Sequence, residues 1–284
     1  MRPPIDGGVA LVTGASSGIG EQIARQLAPR VRAIILVARR RERLENLADE
    51  LRRQWKNLIV EVQPCDLTDR AALTALVDNV LQRYDVDILV NSAALGDVGM
   101  FDLASWSKTD CMIELNMRSL AYLTHRFAAP MVARKRGGIL MMSSGFGLTF
   151  MPGFAAYVGT KHFVSGFSEC LRLELRHTGV VVTHVCPGPV ATEFYERAGN
   201  PFGLKPQKYI EMSAQRCARS ALAGFHRGKA LVLTGIAGRI SISLARITPR
   251  CILRLLYSPL AAWGRQRQYR GNAAHVSDAN QRGY

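Results

Sequence analysis

At 284 residues with 48% apolar side chains, the chain is long enough for one large α/β domain and apolar enough to bury its core. The net charge of +15 is spread along the chain without a nucleic-acid motif, so it fits an anionic cofactor, an acidic partner, a membrane surface or simply a solvated arginine-rich exterior, and no nucleic acid is expected. The six cysteines lack C-x-x-C spacing, the six histidines form no ligand set, the first eight residues are too short and polar for a signal peptide, and no run of 18 uncharged apolar residues occurs; a reduced, metal-free, cytoplasmic protein without a spanning helix is expected.

In chain order, residues 9–12 read as a short buried strand. Thr13-Gly14-Ala15-Ser16-Ser17-Gly18-Ile19-Gly20 follows as a glycine-rich turn, and residues 21–27 show helical spacing with Ile23, Ala24 and Leu27 apolar. Strand, glycine turn and helix together make a phosphate cradle: Gly14 permits the tight turn, Gly18 and Gly20 permit close approach of backbone and helix, and the helix N-terminus offers N–H groups and a positive dipole to a pyrophosphate. Residues 33–38 read as the second strand, with Arg39, Arg40 and Arg41 directly at its end. An acid there would bind the ribose 2′-hydroxyl of NAD, whereas arginine accommodates the 2′-phosphate of NADP. NADP(H) is therefore expected over NAD(H), with Arg39 the main contact and Arg40 the second; the competing reading makes these arginines the basic start of a solvated helix over 40–54. Residues 58–62 and 87–91 read as the third and fourth strands. Asp66 lies after the third, and either it or, more suitably, Thr68 caps a helix over 69–84.

A helical region spans 105–134 and carries Asn116 in apolar surroundings, where its amide must find partners. The apolar run 138–142 reads as a strand that delivers Ser144 at its end. A helix after Phe154 begins with Tyr157 and Lys161, four residues apart and so on one side. These three groups suit proton exchange with an alcohol oxygen. A free phenol, with a pKa of about 10, is a poor base at neutral pH, and a lysine ammonium beside it is expected to lower that value. The serine hydroxyl can steady charge on the substrate oxygen. No side chain can carry hydride, so a cofactor is required.

Taken together, T-G-A-S-S-G-I-G at residues 13–20 and S-x12-Y-x3-K ending at Lys161 resemble the short-chain dehydrogenase/reductase family, over about residues 8–235. The resemblance implies that Asp66, with Leu67 beside it, meets the adenine amine. It implies that Asn91, often structural in such sheets, acts on the cofactor indirectly and that Ala93 stands near the nicotinamide ribose, although the family's N-N-A-G is replaced here by Asn91-Ser92-Ala93-Ala94. It further implies that Asn116 anchors a water linking Lys161 to solvent, that Lys161 also holds the ribose, that Pro187, Gly188 and Val190 meet the nicotinamide amide, and that Thr192 meets amide or phosphate. With Gly14, Ser16, Ser17, Gly18, Ile19, Gly20, Arg39, Arg40, Tyr157 and Lys161, these complete the cofactor set. Relatives pair across a two-fold axis, so a homodimer or homotetramer is a family expectation.

Residues 180–186 read as the sixth strand and 230–234 as the last. Residues 193–206 between them are loop-like and are expected to form the substrate lid; Phe194, Tyr195, Phe202 and Leu204 in it suggest a lipophilic substrate. From 240 to 263 the chain is rich in Ile, Leu and Ala, with Arg246, Arg250 and Arg254 at four-residue intervals broken by Pro249. Two readings stay open: a helix covering the substrate cleft, or a basic amphipathic segment on an anionic membrane. Residues 264–284 are polar and basic and are expected to be a disordered tail. The expected fold is one domain over 9–235, after a lead-in of 1–8: an α/β doubly wound parallel sheet, Rossmann-like, with helices on both faces. The expected activity is interconversion of a ketone and a secondary alcohol with NADP(H). A non-catalytic dinucleotide sensor on the same fold and a peripheral membrane reductase of lipid ketones are the alternatives.

Overall fold

The structure, a computed structural model, describes residues 2–202 and 211–281. Its centre is a seven-stranded, wholly parallel sheet of order β3-β2-β1-β4-β5-β6-β9. The strands are β1 Val9–Thr13, β2 Ala33–Ala38, β3 Ile59–Pro64, β4 Ile88–Asn91, β5 Gly137–Met142, β6 Val180–Pro187 and β9 Leu231–Thr234. Every residue of β1, β2, β4, β5 and β6 is buried. That explains why these segments read as continuous apolar runs: both faces of the sheet are covered by helices.

Alternation along each strand divides the core in two. One layer joins Ala10, Val12, Ile34 and Leu36 to α1 (Gly18–Leu27), α2 (Arg41–Gln54) and α8 (Ala214–His226) through Ile23, Leu44, Leu47 and Phe225. The other joins Val9, Leu11, Ile35 and Ile139 to α3 (Arg70–Arg83), α5 (Leu120–Ala133) and α6 (Ala155–Glu174) through Leu73, Leu123, Phe127 and Val164. The chain winds outward in both directions from β1, which pairs with β2 on one side and β4 on the other. The carboxyl ends of β1 and β4 therefore open a crevice at the switch point, where ligands bind in such sheets.

Several expectations are refined. The cap of α3 is Asp69, whose carboxylate accepts from Ala71 N and Ala72 N, rather than Thr68 or Asp66. The long helix over 105–134 is two helices, α4 (Trp106–Ile113) and α5, joined by a π-helical turn at Glu114–Ser119 that contains Asn116. The lid is not all loop: α7 occupies Phe194–Ala198, and a short pair of strands, β7 (Val190–Ala191) and β8 (Met212–Ser213), closes beneath it. Leu204 and the rest of the expected lid after Phe202 lie outside the described residues. Two helices follow β9: α9 (Ile236–Ile247) and α10 (Arg250–Gln281), separated at Pro249. The polar stretch from Gly264, expected to be a disordered tail, continues α10. Its start is held to the body, because Gln268 Oε1 accepts from Met100 N at 2.8 Å and Arg265 pairs with Asp102 at 2.8 Å.

Candidate active site

A cleft of about 820 Å³ runs across the carboxyl ends of the strands. At one end lies the glycine turn. Thr13 Oγ1 accepts from Ser92 N and Ala93 N at 3.0 and 3.1 Å, pinning the chain after β4 against β1. This closeness explains Gly14: its φ is +69°, and a Cβ would lie 2.9 Å from the Ala93 backbone. At Gly20 a Cβ would lie 2.4 Å from Gly14 O, so glycine lets α1 seat directly on the turn. No side chain caps the first turn of α1, and Ser16, Ser17, Gly18, Ile19 and Gly20 all line the cleft. Uncapped N–H groups at a helix start, with no Cβ in the way, fit a pyrophosphate.

Arg39, Arg40, Asp66 and Leu67 line the same cleft. Asp66 accepts from Thr68 N and Oγ1 at 3.0 and 2.8 Å, which holds its carboxyl below the usual range against the opposing effect of burial. Arg39 reaches it only at 3.8 Å and is half exposed. Arg40 bonds Ser16 Oγ at 3.1 Å and Glu193 at 3.1 Å. Glu193 also pairs with Arg43 and Arg197, and these arginines hold its carboxyl below the usual range. Nothing in the sequence pointed to Glu193, a residue of the lid base that reaches the arginines after β2.

Ser144, Tyr157 and Lys161 meet at the floor. Ser144 leaves β5 and caps the short turn Gly145–Gly147 by accepting from Phe146 N at 3.2 Å. The rings of Phe146 and Phe194 flank Tyr157, with centroids 6.4 and 5.2 Å away. Tyr157 and Lys161 are buried, 7% and 2% exposed. Lys161 Nζ donates to Met142 O at 3.0 Å and sits 5.7 Å from the centre of the Tyr157 ring. Burial pulls the ammonium from 10.5 down to about 8, with Cys186 opposing. Burial also pushes the Tyr157 phenol above its ordinary value, against a hydrogen bond with Ser144 that lowers it. The shift runs opposite to the lowering expected from Lys161, because desolvation of the phenolate dominates and the lowering that opposes it comes from Ser144.

Asn91 and Asn116 stand behind the residues that line the cleft. Asn91 is buried with its Nδ2 donating to Thr124 Oγ1 at 2.9 Å, and so ties β4 to α5. Asn116 forms a clamp: Oδ1 accepts from Leu95 N at 2.9 Å, while Nδ2 donates to Leu95 O at 2.8 Å and Thr160 Oγ1 at 3.1 Å. Both amide hydrogens are thereby used.

The remaining wall comes from Ala93, Pro187, Gly188, Val190 and Thr192, all predicted, and from residues the sequence did not single out: Ser241, Ile242, Ala245 and Tyr257 of α9 and α10. Backbone contact seats α9 here, since a Cβ on Gly188 would lie 3.0 Å from Gly238 Cα. Of the apolar lid residues, Phe194 and Tyr195 line the cleft, whereas Phe202 is buried against Trp263, with ring centroids 6.4 Å apart.

The family model described as short chain dehydrogenase matches residues 8–200. The chain is 34% identical over 223 residues to human dehydrogenase/reductase SDR family member 7, covering 75% of this chain and 66% of that protein, about two thirds of its length. Among solved structures it resembles a short-chain dehydrogenase from Sphingobium yanoikuyae in complex with NADPH, with a TM-score of 0.76 and 32% identity over 84% of this chain and 93% of that one. It also resembles the bulky-bulky ketone specific alcohol dehydrogenase from Comamonas testosteroni, with a TM-score of 0.72 and 30% identity over 84% of this chain and 92% of that one.

Proposed function

The chain belongs to the short-chain dehydrogenase/reductase family of oxidoreductases, and on that premise we propose that it interconverts a ketone and a secondary alcohol of a lipophilic substrate with NADP(H). The observation that carries this reading is the meeting of Ser144, Tyr157 and Lys161 on the floor of one cleft, with the glycine turn and Arg39 and Arg40 at its other end.

Ser16, Ser17, Gly18, Ile19 and Gly20 would hold the pyrophosphate, Asp66 and Leu67 the adenine, and Arg39 and Arg40 a 2′-phosphate. Lys161 would hold the nicotinamide ribose, and Pro187, Gly188, Val190 and Thr192 the nicotinamide end. When bound, the nicotinamide supplies or accepts the hydride at the carbinol carbon. In the reducing direction Tyr157, kept protonated by burial, donates its phenolic proton to the substrate oxygen, and Ser144 hydrogen-bonds the same oxygen. The Lys161 ammonium steadies the phenolate left behind. Asn116 positions this group by fixing Leu95 and Thr160, the neighbour of Lys161; the expected water-anchoring role would run through the π-helical turn it occupies. Phe146, Phe194, Tyr195 and Ile242 supply apolar wall for the substrate. The ketone-specific neighbour from Comamonas testosteroni is in keeping with a bulky carbonyl substrate.

The test is Tyr157→Phe, followed by NADPH consumption with a panel of bulky ketones and by NADPH fluorescence titration. Turnover should fall by about 10²- to 10⁴-fold while NADPH binding persists. Undiminished turnover would remove Tyr157 from the chemistry.

A further inference from the structure

Each of the two C-terminal helices carries exposed apolar side chains in a segment whose charged residues are all arginine up to residue 270. On α9, Ile240, Leu244 and Ile247 are exposed and recur every three or four residues, so they share one side. Ile242 and Ala245 lie on the other side and line the cleft. On α10, Ile252, Leu255, Leu256, Leu260 and Trp263 are exposed along one flank, whereas Leu253 is buried and Tyr257 faces the cleft. Leu255 and Ile247 are 75% and 77% exposed. So many exposed large apolar side chains in two successive helices are unusual for a surface that meets only water.

Charge argues for what covers it. From residue 236 to residue 270 there are seven arginines and no acidic residue. Arg239, Arg246, Arg250 and Arg254 are exposed, and none pairs with a carboxylate among the described residues. Most arginines elsewhere on the surface behave differently: Arg25, Arg30, Arg52, Arg83 and Arg126 are each in an ion pair. A second copy meeting this face through a two-fold axis would set the arginines against themselves. An anionic bilayer meets both requirements at once, since apolar side chains can enter its acyl boundary and its negative surface attracts a segment of uncompensated positive charge.

We propose that α9 and α10 seat the protein on an anionic lipid surface, lying on it without crossing it. No helix among the described residues is long and apolar enough to span. The platform is firmly attached: Arg265–Asp102, Gln268–Met100, Phe202–Trp263 and the edge-on contact of Phe150 with Tyr257 tie α10 to the body. The same helices wall the cleft, so a docked molecule would hold that wall beside the bilayer, where an apolar substrate is stored.

The test is sedimentation of the full chain with vesicles of phosphatidylcholine alone and of phosphatidylcholine with phosphatidylserine, alongside size measurement by light scattering. The wild type should pellet with the anionic vesicles and be released by salt. Leu255→Glu/Leu256→Glu should lower vesicle affinity about tenfold or more, and Arg246→Gln/Arg250→Gln/Arg254→Gln should erase the preference for phosphatidylserine, both with unchanged circular dichroism. A wild type that stays in the supernatant overturns the proposal. So does a Leu255→Glu/Leu256→Glu variant that binds vesicles undiminished, or one that instead converts a dimer to a monomer, which would make this face a contact between copies. These readouts are independent of turnover, so they stand apart from the ketone chemistry proposed above.

Discussion

Asn116→Ala separates a clamp from a proton relay. The substitution deletes three hydrogen bonds, to Leu95 N, Leu95 O and Thr160 Oγ1. Thr160 Oγ1 retains a partner, because it also donates to Tyr157 O at 2.8 Å. Leu95 does not: its N–H and C=O both lose theirs. An orphaned, partly buried backbone group costs about 1–3 kcal/mol. Leu95 is half-buried, so water can reach part of the gap, and the combined loss should fall at about 2–4 kcal/mol. With a urea m-value of about 2–3 kcal/mol/M, the unfolding midpoint should drop by roughly 1 M. Turnover should fall too, since Leu95 lines the cleft and Thr160 precedes Lys161. Asn116→Asp, which keeps an acceptor for Leu95 N but no donor, should lie below the wild type as well. A residue serving only to hold a relay water would lower turnover and leave the midpoint in place. A midpoint shift of Asn116→Ala worth less than about 0.5 kcal/mol would refute the clamp.

The remaining expectations concern charge. Lys161 loses its proton at about 8 in the folded protein and at 10.5 in its ordinary state. Below pH 8 the ammonium is buried at a cost of about 3 kcal/mol, and the cost is relieved as pH rises from 8 towards 10.5, because the unfolded chain then binds the extra proton. Lys161→Met should therefore be more stable than wild type near pH 7 in urea unfolding, and the difference should shrink over that window; a constant difference would contradict the burial effect. Glu193→Gln removes the carboxylate that occupies Arg40, so NADPH should bind about two- to fivefold tighter in fluorescence titration, with NADH unchanged. Arg39→Ala and Arg40→Ala should weaken NADPH selectively, and equal loss for both cofactors would place the arginines outside 2′-phosphate recognition.

What could be read from the chain follows from the range over which each feature is encoded. The sheet is legible because strands buried on both faces must be apolar at every position, as in 9–12 and 33–38. The glycine turn and the Tyr157–Lys161 pair are legible because their geometry is set within eight residues. The clamp of Asn116 on Leu95 spans 21 residues, and the bond of Asn91 to Thr124 spans 33. A buried amide announces that it has partners and says nothing of where they are, so neither Leu95 nor Thr124 could be named from the chain. Arg40 and Glu193 lie 153 residues apart, and the backbone contact of Gly188 with Gly238 places α9 on the cleft without a side chain to signal it. The stretch from Gly264 shows the same limit from the other direction. Its composition is that of a solvated tail, because the side chains that hold its start, Arg265 and Gln268, are polar and find Asp102 and Met100 N, both remote in sequence. Composition measures how much apolar area a segment can bury, and it misses a helix start held by one ion pair and a single buried amide. The open pair of readings for the C-terminal segment had the same origin. An amphipathic period says that one face is apolar, whereas two faces are in use here: Ile242 and Ala245 meet the cleft and Ile240, Leu244 and Ile247 meet the outside. Covering the cleft and resting on a membrane are therefore compatible roles of one helix pair, and the vesicle experiment bears on the second without disturbing the first.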